Sequence, residues 1–372
     1  MSRLLVISFT DLTSDPRVDR QISLLSTQHE IVAAGVGPPR HAVNEFVELP
    51  KAKRTLFGNT LGVLRLVMRR YDSIYWTHPA HVVAFNRLRH LQVDAVVAND
   101  LDALPLALRL GPPVIFDAHE YVPGQFTDVA WWRTLVAPYV RWLCTRYIPL
   151  AASMITVSEA IARAYERDTG VPATVVTNAP PRAELVPTPV HDPIRILHHG
   201  GAVRGRGLEE MVRLGDLLDD RFTLDFVLVE TTAGYRDKLI RRAKGNPRIR
   251  FPDPWPLHDL VRRANDYDIG LYSLPPLTFN RRFALPNKFF EFIQARLAVA
   301  IGPSPEMSQV VRHYGCGIIS EDFTPESMAA ALETLDVSFI AQLKRSSHAA
   351  AVELSAEGNA QRMLDAVEKA LA

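Results

Sequence analysis

Short runs of β-branched and aliphatic residues alternate with longer helical patterns along the whole chain. Eleven runs predict strands: "RLLVISF" at 3, "EIVAAGV" at 30, "SIYWTH" at 73, "DAVVAND" at 94, "PVIFDAH" at 113, "SMITVSE" at 153, "IRILHHGG" at 194, "TLDFVLVE" at 223, "RIRF" at 248, "YDIGLYS" at 267 and "LAVAIG" at 297. Strands that alternate with helices predict an α/β protein, in which helices cover both faces of parallel sheets.

A proline-rich segment divides this pattern into two halves. Residues 179–193, "APPRAELVPTPVHDP", carry five prolines, a density that stops both helix and sheet and predicts a linker. The pattern therefore predicts two Rossmann-like domains joined near residue 185. At the C-terminus, Met363, Leu364, Val367, Ala370 and Leu371 recur at helical spacing, which predicts an amphipathic helix packed against another element.

Composition narrows the classes of partner and compartment. The 372 residues are 47% hydrophobic and 22% charged with a formal net charge of +1, so no field of the whole molecule attracts nucleic acid. Two cysteines are too few for a disulfide framework or a zinc cluster. The N-terminus lacks the pattern of a signal peptide, and arginines interrupt the longest apolar region, residues 131–157. We expect a cytoplasmic protein.

Polar residues follow many of the predicted strands. Because open parallel sheets bind ligands beyond the carboxyl ends of their strands, two facing sheets would enclose these residues in one cleft. In the first half they are Thr10, Asp11, Asn99, Asp100, Asp117, His119, Glu120, Ser158, Glu159 and Asn178. In the second half they are His198, His199, Gly200, Gly201, Glu230 and Ser273.

A glycine-rich turn, "GGAVRGRG" at residues 200–207, connects a predicted strand to a helix that begins near Leu208. Glycines allow close approach to an anion, and a helix N-terminus supplies free N–H groups. Arg204 and Arg206 can add charge-assisted hydrogen bonds to a diphosphate. The spacing matches neither GxGxxG nor a P-loop, so a plain strand–helix connection is the alternative.

Two opposite charges stand within the apolar segment "FALPNKFFEFIQARLAVAIG" at residues 283–302. Pro286 predicts a helix start, and the three-residue spacing puts Lys288 and Glu291 on one face of that helix. A nucleotide diphosphate could bind both charged side chains, because Lys288 could contact a phosphate while Glu291 accepts hydrogen bonds from the ribose hydroxyls. The alternative is an ordinary ion pair at a helix end, which contributes little.

Six segments resemble GT-B glycosyltransferases, most of all glycosyltransferase family 4. They are "SDPRV" at 14, "FDAHE" at 116, "TVSE" at 156, "HHGGAVRGRGLEE" at 198, "YDIGLY" at 267 and "LPNKFFEFIQARLAV" at 285, in the same order as in that family. The resemblance implies two Rossmann-like domains facing across a cleft: an acceptor-binding domain at 1–185, a nucleotide-sugar domain at 186–355, and a C-terminal helix at 356–372 that crosses back to the first domain.

The resemblance also implies roles for particular residues. Glu291 would bind the ribose, Arg206 and Lys288 the phosphates, and His119 would lie near the transferred sugar. The full expected donor set is Gly200, Gly201, Arg204, Arg206, Asn287, Lys288 and Glu291. The expected residues of the acceptor side or cleft are Asp15, Arg17, Ser158 and Glu159. Transfer of a hexose-type sugar with retention of configuration is expected.

The chain departs from the family pattern at three places. Phe283 stands where the family often has a second glutamate, which leaves the identity of the sugar open. Ala202 stands where an arginine often follows the glycine turn, a loss that Arg204 could replace. Arg296 and Ala298 replace a frequent glycine and proline after the helix.

His119 is the candidate for direct contact with the reacting sugar or acceptor. Asp117 or Glu120 could fix its tautomer, so the three form the expected catalytic group; a satisfied histidine at a strand end is the alternative. Arg17 either touches a substrate or caps the helix that follows it. For His198 and His199, a structural role is the favoured interpretation. No histidine has the spacing of a metal site, so we expect neither metal nor cofactor.

A basic amphipathic stretch at residues 51–70 has six basic residues and no acidic one. Its pattern is typical of helices that rest on anionic lipid, which would favour peripheral membrane attachment and a lipid-linked or surface-polysaccharide acceptor. An ordinary domain helix with a solvated basic face is the alternative. Two other functions also stay open, a nucleotide-sugar 2-epimerase of the same architecture and a non-catalytic nucleotide-sugar-binding relative.

Overall fold

A computed structural model describes residues 1–51 and 60–372, with residues 60 and 61 described by their backbone alone. The chain forms two compact units. The first comprises Met1–Thr177, Thr278–Asn280 and Ala360–Ala372, and the second comprises Asn178–Leu277 and Arg281–Asn359. Each unit contains one parallel sheet.

The first unit is built on a sheet with the strand order β3-β2-β1-β4-β5-β6-β7. Its strands are β1 (Arg3–Asp11), β2 (Glu30–Val36), β3 (Glu45–Glu48), β4 (Ala95–Asn99), β5 (Val114–Ala118), β6 (Ser153–Thr156) and β7 (Thr174–Val175). The helices between them are α1 (Pro16–Leu25), α2 (Thr60–Val67), α3 (Tyr71–Trp76), α4 (Pro79–Leu88), α5 (Leu104–Leu110), α6 (Ala137–Tyr147) and α7 (Glu159–Thr169). A π-helical turn, Trp132–Val136, leads directly into α6.

The second unit repeats this plan with the strand order β10-β9-β8-β11-β12-β13. Its strands are β8 (Ile194–Ala202), β9 (Phe222–Glu230), β10 (Ile249–Arg250), β11 (Ile269–Tyr272), β12 (Ala298–Ile301) and β13 (Gly317–Ile319). The remaining helices are α8 (Leu208–Leu217), α9 (Tyr235–Arg242), α10 (Leu260–Ala264), α11 (Phe279–Arg282), α12 (Asn287–Gln294), α13 (Pro305–Tyr314), α14 (Pro325–Glu333), α15 (Val337–Ala350) and α16 (Ala356–Leu371).

Apolar runs without polar alternation become central strands because both faces of each sheet are covered. In β1, Leu4 and Val6 belong to one hydrophobic cluster, whereas Leu5 and Ile7 belong to the cluster on the other face. All four side chains are at most 1% exposed. Side chains alternate between the faces of a strand, so a continuous apolar run contributes buried side chains to the hydrophobic cores on both faces of the sheet.

Helix α16 completes the core of the first unit. Met363 and Val367 lie in the same hydrophobic cluster as Leu4 of β1, and the Ser153 hydroxyl donates a 2.7 Å hydrogen bond to the Ala366 carbonyl. This packing confirms that the amphipathic C-terminal pattern forms a helix that returns to the first unit.

Four elements differ from the sequence expectation. The run "SIYWTH" at 73, predicted as a strand, is part of α3. Tyr71, Ile74 and Tyr75 are its buried side chains, and their spacing is that of a helix, which overrides the strand preference of aromatic residues. The strands β3, β7 and β13, which contain two to four residues, were not predicted.

The basic segment at 51–70 is described in part. Residues 52–59 lie outside the described residues, and the rest includes α2. Leu64, Val67 and Met68 are more than half exposed, whereas Leu66 is buried. Within the described parts of the chain, none of the helices has the length and apolar character that a membrane crossing requires.

Candidate functional site

In the first unit, a buried ion pair joins helix α1 to the end of strand β5. Arg17 donates two hydrogen bonds to the Asp117 carboxylate, from Nε at 2.7 Å and from Nη2 at 2.6 Å. Its Nη1 donates to the Val176 carbonyl at 2.9 Å, and Gln21 donates a further hydrogen bond to Asp117. Burial alone would raise the pKa of Asp117, but Arg17 and His119 outweigh it and lower the pKa to about 2. Asp117 is therefore a fixed anion.

His119 lies just beyond β5 and faces carboxylates on both of its ring nitrogens. Nε2 lies 3.0 Å from Asn99 Oδ1 and 3.5 Å from Asp117 Oδ2, while Nδ1 lies 3.3 Å from Asp100 Oδ2. Burial opposes charge on the imidazole, but Asp100 and Asp117 outweigh that effect and raise the pKa of His119 to about 9. At neutral pH the ring is an imidazolium that donates hydrogen bonds.

Asp100 occupies a strained position next to this histidine. Its φ is +64°, a left-handed conformation that residues other than glycine adopt infrequently and that clusters at functional sites. The backbone N–H of Asp100 donates to the Asp117 carbonyl at 2.9 Å, which ties β4 to β5 at this point. Burial raises the pKa of Asp100 to about 6, although His119 opposes the shift. Sequence reasoning noticed Asn99 and Asp100 as residues at a strand end but gave them no role.

Asp15 and Arg17 have different tasks. The Asp15 carboxylate caps α1 by accepting from the backbone N–H groups of Arg17 and Val18, at 3.0 and 3.2 Å. The alternative that Arg17 caps the helix was wrong, because a guanidinium has no acceptor for the free N–H groups at a helix start. The Arg17 side chain instead holds Asp117.

The remaining predicted residues of this unit lie apart from the ring of His119. Glu120 accepts hydrogen bonds from Gln125 at 2.6 Å and from Asn280 at 3.5 Å, so its partners are not the histidine whose tautomer it was expected to fix. Ser158 is buried at the N-cap position of α7, and Glu159 is exposed in the first turn of that helix.

A cavity of about 550 Å³ opens beside His119 within the first unit. Asp100, Glu120 and Gln125 contribute polar groups to its wall. His78, His81, Asp102 and His119 also belong to the wall, and the remaining side chains are aliphatic or aromatic, among them Trp132, Val136 and Tyr139. A concave, mostly apolar volume with a few polar groups is the usual form of a small-molecule site.

In the second unit, the start of helix α12 lies against the end of strand β8. The helix begins at Asn287 after Pro286, as its sequence predicts. A side chain on Gly200, whose φ is +129°, would approach Lys288 Nζ to 2.8 Å. Gly200 is therefore required both for its backbone conformation and for the close approach of the ammonium group. Gly270 of β11 has a similar role, since a Cβ there would overlap the ring of Phe292.

Lys288 is a cation in surroundings that disfavour its charge. Burial and the nearby Arg206 lower its pKa to about 7, and Glu291 only partly opposes them. The ammonium lies 5.2 Å from the centre of the Tyr272 ring. Glu291 Oε2 in turn lies 3.5 Å from His199 Nε2. The structure thus brings Lys288 and Glu291 together with Gly200, while Tyr272 is a member of the group that sequence reasoning missed.

Two arginines, Arg206 and Arg281, are grouped with Lys288 and Glu291, whereas a third, Arg204, lies against an aromatic ring. Arg206 is exposed and lies close enough to lower the pKa of Lys288. Arg281 donates from Nη1 to the Gly205 carbonyl at 2.9 Å and was not predicted. Arg204, an expected donor residue, lies with its guanidinium 5.1 Å from the centre of the Tyr235 ring. We call Lys288, Arg206, Arg281 and Glu291 the cationic cluster.

The glycine turn itself has the predicted form. Helix α8 begins at Leu208, and the N-cap residue Gly207 has φ +70°. Gly201 packs against Thr231, where an added Cβ would lie 3.2 Å from the threonine methyl group. No group of three or more His, Cys, Asp or Glu side chains suited to a metal ion occurs among the residues that the structure describes.

The two histidines at the end of β8 are buried and neutral. His198 Nδ1 lies 2.9 Å from the Leu271 carbonyl, which joins β8 to β11. Burial first, and Lys288 second, lowers the pKa of both histidines well below the ordinary value. His198 therefore has the structural role that was favoured, whereas His199 touches the carboxylate of the cationic cluster.

Comparisons with known proteins find similarity in sequence and in fold. Residues 27–181 match the model of Glycosyltransferase Family 4. No curated protein sequence matches the chain.

Solved structures match at full length despite low identity. A trehalose-6-phosphate structure from E. coli bound with UDP-2-fluoro glucose has 13% identity and a TM-score of 0.68, with 98% of each chain covered. Sucrose-phosphate synthase from Thermosynechococcus elongatus has 13% identity and a TM-score of 0.73, also with 98% of each chain covered. HepE from Anabaena in complex with UDP has 12% identity and a TM-score of 0.67, with 99% of this chain and 100% of that one covered.

Proposed function

We propose that this chain, whose fold is that of GT-B glycosyltransferases, is itself a glycosyltransferase, as its sequence predicted, and that it catalyses the following reaction. A hexose-type sugar passes from a nucleoside diphosphate to a hydroxyl of a glycan or of a lipid-linked acceptor. The second unit binds the donor, and the first unit binds the acceptor. Configuration at the sugar is retained, and no metal ion takes part.

The observation that carries this proposal is the excess of positive charge in the cationic cluster. Three side-chain cations, Lys288, Arg206 and Arg281, lie with one carboxylate, Glu291, near the start of two helices. A lysine whose pKa falls to about 7 has less negative charge around it than an ammonium needs. A diphosphate supplies that charge, and the N-terminal N–H groups of α8 and α12 add donors for its oxygens.

The same groups favour the departure of the nucleotide. As the bond between the sugar and the phosphate breaks, negative charge grows on the diphosphate, and preorganised cations stabilise it most when the charge is largest. Lys288 and Arg206 then take the part that a metal ion has in many other transferases. Glu291 accepts hydrogen bonds from the ribose hydroxyls, which leaves the ammonium of Lys288 to the phosphate.

His119 contributes a positive charge rather than a base to this reaction. Its pKa of about 9 means that the imidazole already holds both protons at neutral pH and cannot take the proton of the acceptor hydroxyl. The departing diphosphate is then the base, which fits attack on the face that the leaving group vacates. Both ring nitrogens of His119 already face acceptors, Asn99 and Asp117 on one side and Asp100 on the other, which keep the ring charged and oriented.

UDP is the nucleotide to test first. The similar structures from E. coli and Anabaena contain UDP-2-fluoro glucose and UDP, which supports the choice of uridine. Phe283, where a glutamate is frequent in the resembling family, removes one contact for sugar hydroxyls and favours a donor that does not need it.

The acceptor belongs to the biosynthesis of a polysaccharide or a glycolipid, and the enzyme works at the cytoplasmic face of a membrane. Support comes from α2 and the residue that follows it, where Leu64, Val67 and Met68 are more than half exposed within a basic stretch. Exposed apolar side chains flanked by arginines are typical of helices that rest on anionic lipid.

A thermal-shift panel of UDP, GDP, ADP and dTDP, each with its glucose conjugate, tests the donor site. One nucleotide is expected to raise the melting temperature, and Lys288→Met and Glu291→Ala should abolish the shift. Lys238→Met is the matched control, since the Lys238 side chain is 52% exposed and its ammonium lies 3.5 Å from Glu209. A shift that survives both site variants would place the donor elsewhere.

Release of nucleoside diphosphate separates transfer from the two other functions that share the architecture. A transferase frees the nucleotide at a rate that depends on the acceptor, whereas a 2-epimerase interconverts sugars and a binding protein does neither. Chromatography of the UDP-sugar after incubation, with and without candidate acceptors, distinguishes the three results.

A further inference from the structure

One face of a helix belongs both to the core of the first unit and to the wall of its cavity. Trp132, Val136, Tyr139, Val140 and Leu143 lie on the π-helical turn and on α6, at spacings of three and four residues, and all of them form part of the cavity wall. Each of them is at most 8% exposed and also packs in the hydrophobic core, so only a small part of each side chain borders the volume of about 550 Å³. π-helical turns occur frequently at functional sites.

Large apolar side chains mark the opening of this cavity. Phe126 and Trp131 belong to its wall, yet they are 45% and 51% exposed, so they lie where the cavity meets solvent. Phe126 has φ +46°, a conformation that is strained for a bulky residue. Exposed aromatic residues at an apolar opening are typical of protein surfaces that meet lipid.

The apolar surface continues from this opening onto a neighbouring helix. Helix α2 packs against the π-helical turn Trp132–Val136. It carries the exposed side chains of Leu64 and Val67, and Met68 follows directly. The exposed Arg69 and Arg133 lie in the same two segments, which adds the basic charge that anionic lipid attracts.

We infer that this cavity binds the hydrocarbon chain of a lipid-linked acceptor, with the acceptor hydroxyl held near His119. This inference rests on the proposed function, because it names the class of acceptor for the same site. Asp100 and Glu120 in the cavity wall suit a polar headgroup, whereas the face formed by Val136, Val140 and Leu143 offers nothing to a free sugar. An alkyl or prenyl chain would make apolar contacts with these side chains.

Alkyl glucosides of increasing chain length test the inference below their micelle concentrations. Methyl, hexyl and octyl β-D-glucoside are titrated into the full-length protein, followed by calorimetry and by tryptophan fluorescence, since Trp131 and Trp132 line the cavity. Affinity is expected to rise by up to about fourfold for each added methylene that the cavity buries, the equivalent of about 0.8 kcal/mol. Equal affinity for methyl and octyl glucoside would overturn the inference.

Variants that fill the cavity separate it from any other apolar surface. Val140→Trp and Leu143→Phe should each weaken octyl glucoside binding at least tenfold, without a change in UDP binding. Val83→Trp is the matched control, because Val83 is 37% exposed and is not part of the wall. Retained UDP binding shows that the second unit is folded, and an unchanged near-ultraviolet circular dichroism spectrum shows that the first unit is folded.

The outcomes distinguish the inference from the function on which it rests. Octyl glucoside that binds Val140→Trp and Leu143→Phe as tightly as the unmodified protein would contradict the cavity assignment alone. Failure of every nucleotide to bind would instead remove the proposed function. Chain-length dependence that disappears in both filled variants, together with intact UDP binding, supports the inference.

Discussion

The two units hold charged clusters at the ends of similar parallel sheets, but the clusters are balanced in opposite ways. In the first unit, Arg17 and the imidazolium of His119 meet the carboxylates of Asp117 and Asp100 within 2.6 to 3.5 Å. In the second unit, Glu291 is the carboxylate that acts on Lys288, and Arg206 opposes it. The first cluster is neutral by itself, and the second is not.

The pKa values of His119 and Lys288 reflect this difference in charge balance between the two clusters. Asp100 and Asp117 overcome burial and raise the pKa of His119 to about 9, whereas burial and Arg206 lower that of Lys288 to about 7. Oppositely charged neighbours stabilise a buried ion, and their absence destabilises it. The first cluster is therefore complete without a ligand, while the second gains most when an anion arrives. Changes in the first cluster should affect stability, and changes in the second should affect binding.

The largest expected effect on stability comes from Arg17→Met. It leaves Asp117 buried with His119 and Gln21 as its remaining side-chain partners among the described residues, and breaking a buried pair in this way costs about 3–5 kcal/mol. The free energy of unfolding from urea titration measures the loss. Arg262→Met removes an exposed pair with Asp259 and should cost less than about 1 kcal/mol. Equal losses in the two variants would contradict a compensated buried cluster.

Lys288→Met should separate binding from stability. Removing one preorganised cation is expected to lower turnover by about 10²–10³-fold, as the loss of a single oxyanion donor does. The free energy of unfolding should stay the same or increase, because the variant replaces a disfavoured cation by an apolar group of similar length. Steady-state kinetics and urea titration of the same preparation check both parts. A variant that loses stability as Arg17→Met does would remove the contrast between the clusters.

The charge on His119 should make stability depend on pH. Its folded-state pKa, about 9, exceeds the ordinary value of 6.5, so its contribution is fully present below pH 6.5 and is lost as pH rises through 9. We expect the protein to lose on the order of 2 kcal/mol more than His119→Gln between pH 6.5 and pH 9.5. Unfolding titrations at several pH values measure this. Parallel pH profiles for the two proteins would show that the imidazole is not charged.

A smaller effect is expected from Gly200→Ala. Its Cβ would meet Lys288 Nζ at 2.8 Å, so nucleotide affinity should fall by about tenfold as the ammonium moves. Gly234→Ala is the matched control, because Gly234 also has a positive φ but has no atom within 4 Å of the added Cβ. Both variants should lose about 1 kcal/mol of stability, and only the first should lose affinity. Titration calorimetry with UDP separates them.

The sequence predicted most of the fold because continuous apolar runs mark strands that are buried on both faces. It was misleading at residues 73–78, where Tyr71, Ile74 and Tyr75 are aromatic or β-branched but recur at helical spacing. The short edge strands β3, β7 and β13 have too few residues for a period to be visible. Length and periodicity, rather than residue preference, decided these elements.

For the candidate site, the sequence could name the residues but not their partners. Lys288 and Glu291 share a helix face, so their proximity follows from spacing alone. The pair of Arg17 and Asp117 joins positions one hundred residues apart, and only the register of α1 against β5 brings them together. Asp100 has a role because of a left-handed backbone conformation that residue type does not signal. Two residues of the cavity wall, Trp132 and Val136, lie on a π-helical turn that no sequence pattern indicated.

Proton uptake on UDP binding tests the claim that the second cluster lacks an anion. Calorimetry at pH 8, in two buffers of different ionisation enthalpy, counts the protons taken up with the nucleotide. Because the pKa of Lys288 is about 7 without ligand, the diphosphate should recharge it and up to about one proton should enter. Lys288→Met should lose that uptake. Equal proton counts for the unmodified protein and for Lys288→Met would contradict the account.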